Sequence, residues 1–323
     1  MRATGSLGMP KPVGMKERTE TLGHVGQGSE DAGLGRRGLW LAHAPCLLIL
    51  GWWVGDLQLH WRALPEFQHG WLVVPLALFL AWERWPGRPA EVTSSALWGP
   101  LFLAMAMFPM VAIAELYQYA VAPSVASSFG LSVGCAGFLV AILWLVDGWP
   151  VARHFLFPIL FLFVAVPIPK IVWNPVVFGL QGLIAVLNVE TLNLIGVPAI
   201  RSGNLIVLPQ GMVGVDEACS GIRSLQSSIM AALFIADLTL RRVSLKVLFV
   251  LIGVVLALMG NFGRSLYLSM TAARHGVAAV TGVHDAAGWS VLVFTTVGLA
   301  IVGWRILKAE RAMLRESPEG KRS

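Results

Sequence analysis

Within the segment GVDEACSGIRSLQSS, residues 214–228, Asp216, Glu217, Cys219, Ser220 and Arg223 stand within eight residues of one another. A long apolar run follows directly. A thiol at such a position is a nucleophile in waiting if it opens a helix, because N-terminal amide groups favour an anion and raise the thiolate fraction. The run GIRSLQSSIMAALFIADL makes Cys219 a helix opening, with Ser220 as a capping residue. Asp216 and Glu217 oppose ionisation of the thiol unless a cation offsets them. On residue types alone, a small side chain tolerated at a helix mouth competes with the nucleophile.

The residues able to complete such a site lie further along. Asn261 and Arg264 are three positions apart and share a helix face. A guanidinium at membrane depth is costly, and it can hold a carboxylate or stabilise an oxyanion. An interfacial, snorkelling arginine is the competing reading. His284 lies beside Asp285, shortly before the last apolar run, and a neutral imidazole there can take a thiol proton and return it to a leaving amine. His275 meets the same description, and spacing does not choose between them. His69, in QHG (68–70), reads more simply as an interfacial histidine. Cysteine, arginine and histidine without a metal motif point to thiol-mediated acyl transfer. No HExxH, GxSxG, phosphate-loop or dinucleotide signature occurs.

These residues sit in a chain built for a bilayer. Of its 323 residues, 56% are hydrophobic and 13% charged, where a soluble domain carries about a quarter charged, and the mean hydropathy is +0.71. The basic pI of about 9.6 reads as cytoplasmic loops, and nucleic acid is discounted as a partner. Cys46 and Cys135 lie in apolar runs, so the three cysteines form neither a disulfide framework nor a zinc knuckle, and no cofactor or metal is expected.

Apolar stretches occur at 39–55, 67–82, 96–114, 128–146, 154–169, 171–196, 222–239, 243–262 and 286–304. Lys and Arg orient them. The leader (Arg2, Lys11, Lys16, Arg18, Arg36, Arg37) and the tail (Arg305, Lys308, Arg311, Arg315, Lys321, Arg322) both belong inside, as do Arg84, Arg88, Arg153, Arg241, Arg242 and Lys246. The two ends agree only if 171–196 does not cross. Its Asn174, Gln181 and Asn188 recur every seven residues, giving one polar stripe suited to the outer interface or to lining a cavity. RSGN, between short β-branched runs, predicts a small outer hairpin, and 263–285 is expected as an outer loop. The expectation is an all-α integral membrane protein. It has about eight transmembrane helices, an outer-face amphipathic helix and an extracytoplasmic hairpin. A disordered basic leader covers 1–38, the membrane domain 39–305 and a basic cytoplasmic tail 306–323.

Taken together, EACSGIR (217–223), NFGR (261–264) and HDAAG (284–288) resemble the exosortase/archaeosortase family of membrane transpeptidases. EFQHGWLVVPLALF (66–79), LFLFVAVPIP (160–169) and SGNLIVLPQGMVGVDEACSG (202–221) are similar to further segments of it, so the likeness runs from about 39 to 305. Gln68 departs from the family, where a small hydroxyl residue is common. The resemblance implies Cys219 as nucleophile, Arg264 as oxyanion or carboxylate partner, and His284 rather than His275 as acid–base. Glu217, Ser220 and Asn261 would support them. It also implies exported protein substrates with a C-terminal sorting signal (a motif such as Pro-Glu-Pro, a transmembrane helix and a basic tail). A thioester would form, and a second nucleophile, from a lipid or glycan, would resolve it. The site would face outward from a cytoplasmic membrane with both termini inside. Against it stand a transporter, or a scaffold whose outer loops bind a partner. The polar residues gather at helix ends and not mid-span, unlike a transporter site.

Overall fold

A computed structural model describes residues 43–90, 97–214 and 222–316. Asp216, Glu217, Cys219 and Ser220, the leader 1–38 and residues 317–323 lie outside the described residues. Contacts divide the chain into Met1–Leu48 and Ile49–Ser323. In the first, residues 43–48 are described and are helical.

The helices are α1 (43–63), α2 (Gly70–Arg84), α3 (Trp98–Ala120), α4 (Val125–Asp147), α5 (Trp149–Phe161), α6 (Lys170–Leu194), α7 (Ile222–Thr239), α8 (Val243–His275) and α9 (Ala278–Glu316). Five of them, α3, α4, α6, α8 and α9, are long and apolar enough to cross a membrane. Their outward faces carry large apolar side chains: Phe102, Met105, Phe108 and Ile113 on α3, Leu251, Val255 and Met259 on α8, and Val293, Val297 and Ile301 on α9. The buried positions include Ser128, Ser132, Asn188, Asn261 and Ser269. Apolar outside and polar inside is the distribution a hydrocarbon solvent imposes. The chain is an all-α integral membrane protein with a small β-hairpin.

Small residues and inward hydrogen bonds hold the helices, as expected where lipid removes the hydrophobic drive between them. Gly134 and Gly137 on α4 lie so close to Val111 and Met107 on α3 that a Cβ would collide. Trp53 Nε1 donates to Ser132 Oγ (2.8 Å), His60 Nε2 is bonded to Ser128 Oγ (2.8 Å), and Gln118 Nε2 donates to Asp56 Oδ1 (3.0 Å). These bonds tie α1 to α3 and α4.

The two ends of the bundle differ in chemistry. At one, Asp237 of α7, 4% exposed at its side chain, accepts from Arg84 Nη2 (2.6 Å) and Lys246 Nζ (2.7 Å). Arg84 also donates to the His154 carbonyl, and Glu310 of α9 accepts from the Arg241 and Arg242 amides. At the other end, Trp61 Nε1 donates to the Ala165 carbonyl (2.8 Å), and the ring of Phe67 meets Trp173 of α6 at 6.3 Å.

One expectation is overturned and two are refined. Residues 263–285 are not a loop: α8 continues unbroken to His275 and α9 begins at Ala278, joined through Gly276 at φ +84°. Hydropathy marks where lipid ends, whereas a helix persists while its backbone bonds and packing hold. Here Leu268 and Ala272 remain buried, with Ala272 packed against Ile206 and Leu208. The hairpin is present, turning at Gly203 (φ +63°) between β1 (Ile200–Ser202) and β2 (Leu205–Leu208). A third antiparallel strand, β3 (Gly211–Gly214), extends it. The Pro209–Gln210–Gly211 turn was its unread sequence signal. The polar stripe of α6 is split, with Asn174 exposed and Gln181 and Asn188 turned inward. Gln181 and Asn188 are buried, while Ile171, Phe178, Leu183, Leu187 and Leu194 are exposed.

Candidate functional site

The pairing of α8 with α9 builds the site. Gly260 faces Val291 and Phe294, Gly298 faces Leu256, and Gly303 faces Phe249, so the helices run antiparallel at close range. That register sets the Arg264 guanidinium over Gly288. His284 stands one turn beyond Gly288 on the same face, and Arg264 Nη2 reaches its Nε2 at 3.0 Å. A guanidinium can only donate, so Nε2 accepts. The other ring nitrogen, Nδ1, lies 3.6 Å from an exposed Asp285 carboxylate oxygen.

Arg264 divides two faces of α8. On one side Gly263, Arg264 and Tyr267 border a groove of about 570 Å³ shared with Ser290, Val291 and Phe294 of α9. Its walls are almost wholly apolar and it lies open along its length, with Arg264 as its single charge. On the other side Asn261, Ser265 and Ser269 are buried at successive turns, and Ser265 meets α6. Asn188 Nδ2 donates to Ser265 Oγ (3.0 Å) across that contact. The Asn261 carboxamide is 1% exposed, and neither its nitrogen nor its oxygen has a partner among the described residues.

Helix α7 approaches from a third direction. Gly253 of α8 abuts Ala232 and the Ser228 carbonyl of α7. Followed outward by equal distances from that contact, the antiparallel pair brings Ile222 level with Asn261. Ile222 is the first described residue after the segment that contains Cys219, Glu217 and Ser220.

The structure therefore joins Arg264 and His284, with Asn261 buried about one turn before Arg264 on α8, and leaves two histidines out. His275 is exposed at the end of α8. His69 faces backbone carbonyls with both ring nitrogens, Glu66 at 3.1 Å and Val164 at 3.0 Å, and staples the start of α2 to the end of α5. Asn188 was read from the sequence as part of the α6 stripe but not as a partner of α8, and Ser265 was not singled out. Asn188 belongs to the α6 stripe, and its seven-residue repeat was the available signal. Ser265 had none beyond adjacency to Arg264. Cys135 is fully buried in α4. Among the described residues no group of three His, Cys, Asp or Glu side chains could hold a metal ion.

Residues 61–301 match the protein family described as transmembrane exosortase. No curated protein and no solved structure matches the chain.

Proposed function

We propose that this chain, which belongs to the transmembrane exosortase family, is a membrane cysteine peptidase that cleaves the C-terminal sorting signals of exported proteins through a thioester. The observation that carries this reading is the 3.0 Å contact of Arg264 with His284 at the level to which Ile222 of α7 projects. Cys219 precedes Ile222 by three residues, a reach of at most about 10 Å. A nucleophile at that position would be within reach of an acid–base and an oxyanion donor.

In the resting site Arg264 occupies the His284 lone pair. A substrate carbonyl arriving at Arg264 draws the guanidinium to its oxygen and frees Nε2 to take the Cys219 proton. The thiolate sulfur attacks the carbonyl carbon, and Arg264 holds the oxyanion. The C–N bond breaks as His284 returns the proton to the leaving amine. The acyl group remains on Cys219. Asn261, and Glu217 and Ser220 beside the nucleophile, are assigned supporting roles. The apolar groove along α8 and α9 suits a substrate helix approaching sideways through lipid, with its outer end at Arg264.

The same reading orients the protein in a cytoplasmic membrane. The Arg84, Arg241, Arg242 and Lys246 end faces the cytoplasm, together with both termini, and the Arg264 end faces out. Helix α6 lies across the outer end and eight helices span. Its contacts support this, because Trp173 meets Phe67 just before α2, and Asn188 meets Ser265 on the outer half of α8.

The deciding experiment retains Cys219 as the only thiol (Cys46→Ser, Cys135→Ser). Its alkylation by a membrane-impermeant reagent is followed across pH in right-side-out membranes, alongside processing of a tagged sorting-signal substrate. Labelling from outside, with a midpoint below the free-thiol value of about 8.5, and loss of processing in Cys219→Ala are expected. Wild-type processing by Cys219→Ala would overturn the reading and favour a scaffold or transporter.

A further inference from the structure

The face of α8 opposite the groove contains a cluster of buried polar atoms of which the chemistry above uses only Asn261. Asn188 is 0% exposed, Asn261 1%, Ser265 5% and Ser269 0%. Asn188 Oδ1, both polar atoms of Asn261 and Ser269 Oγ lack hydrogen-bond partners. Asn261, Ser265 and Ser269 succeed one another at single helical turns, so their side chains are neighbours about 6 Å apart. Asn188 joins them through its 3.0 Å bond to Ser265. Each unsatisfied polar group in a water-free interior is destabilising, and lipid offers no partner. Four together in one seam describe a place for water, which satisfies such groups with two to four hydrogen bonds apiece.

We infer that the α6–α8 seam is a hydration site that delivers water to the acyl group on Cys219, so that the thioester is resolved by hydrolysis. The inference rests on the thioester reading and names its acceptor. Asn261 and Ser265 flank Arg264, so water held there adjoins the carbonyl that the guanidinium polarises. Substrate arrives from the apolar groove on one side of Arg264 and water from the polar seam on the other. In the step, the water oxygen bonds to the carbonyl carbon and one water proton passes to His284 Nε2. The C–S bond breaks, the sulfur recovers that proton, and the product leaves as a free C-terminal carboxylic acid. No oxidant or further reactant is needed.

The full-length protein in membranes is tested with a tagged substrate in heavy-oxygen water, and the new C-terminal peptide is weighed. One heavy oxygen in that peptide is the expected result. Ser269→Ala, which takes away a seam ligand without leaving a buried group unpaired, and Asn188→Leu, which also removes the partner of Ser265 Oγ, should each prolong the hydroxylamine-sensitive Cys219 adduct about tenfold. The release of the C-terminal fragment, which reports acylation, should stay unchanged. A product carrying an amine, lipid or glycan mass and no heavy oxygen would overturn the inference. So would a labelled product whose release is indifferent to both substitutions, since water would then arrive by another route. If wild-type protein forms no adduct on Cys219 at all, the proposed function fails first, and the fragment assay reports that separately.

Discussion

Arg264 and His284 approach within 3.0 Å from two antiparallel helices, although twenty residues and the α8–α9 turn separate them in the chain. The arginine can only donate, so in this contact the histidine nitrogen accepts. Replacing Arg264 with Lys keeps the charge but loses the planar fork that reaches both His284 and a substrate oxygen. Processing is expected to fall by about a hundredfold or more, measured as the rate of substrate cleavage at matched protein level in membranes.

The two outer histidines should separate cleanly. His284→Ala is expected to abolish processing. His275→Ala, exposed at the end of α8, should retain the wild-type rate. Equal loss in both variants would show that proximity to Arg264 does not select the acid–base group.

The groove allows a substitution that fills space without breaking packing. A Cβ at Gly263 meets nothing within 4 Å, whereas one at Gly260 would press on Val291 and Phe294. Gly263→Leu should leave thermal unfolding in detergent unchanged and raise the substrate concentration needed for half-maximal cleavage. Alkylation of Cys219 by a small soluble reagent should not change. Unaltered kinetics in Gly263→Leu would remove the groove from the path of the substrate.

Asp237 should act on stability and not on chemistry. Its carboxylate is nearly buried between Arg84 and Lys246, and through them it ties α7 to α2 and α8. Asp237→Ala leaves two cations short of a partner, and about 3 kcal/mol of stability is expected to be lost. Thermal denaturation in detergent measures it. Activity per folded molecule should persist, because the pair sits at the end of the bundle away from Arg264.

Whether α6 crosses can be read from its two ends. With native thiols removed, Lys170→Cys and Leu194→Cys are both expected to react with an impermeant reagent added outside. Labelling from opposite sides of the membrane would make α6 a ninth span and would reverse the orientation of everything before it.

Much of this organisation was legible in residue order. The apolar runs marked the helices, and RSGN marked the hairpin. The seven-residue repeat of Asn174, Gln181 and Asn188 singled out α6, yet periodicity cannot say whether a polar stripe faces water or protein. The exposed Leu183, Leu187 and Leu194 answer that through packing. The expected 263–285 loop failed for a related reason. Hydropathy registers the thickness of lipid, while Leu268 and Ala272 keep α8 helical above it through contacts that are distant in sequence.

The sequence by itself determined that this is a membrane protein of the exosortase family, because composition and short motifs are local properties of the chain. Only the tertiary structure decided that His284 rather than His275 meets Arg264. It alone set an apolar groove and a buried polar seam on opposite sides of that arginine. Both follow from the close α8–α9 and α6–α8 contacts, in which glycines and small polar side chains fix a register that no single helix encodes.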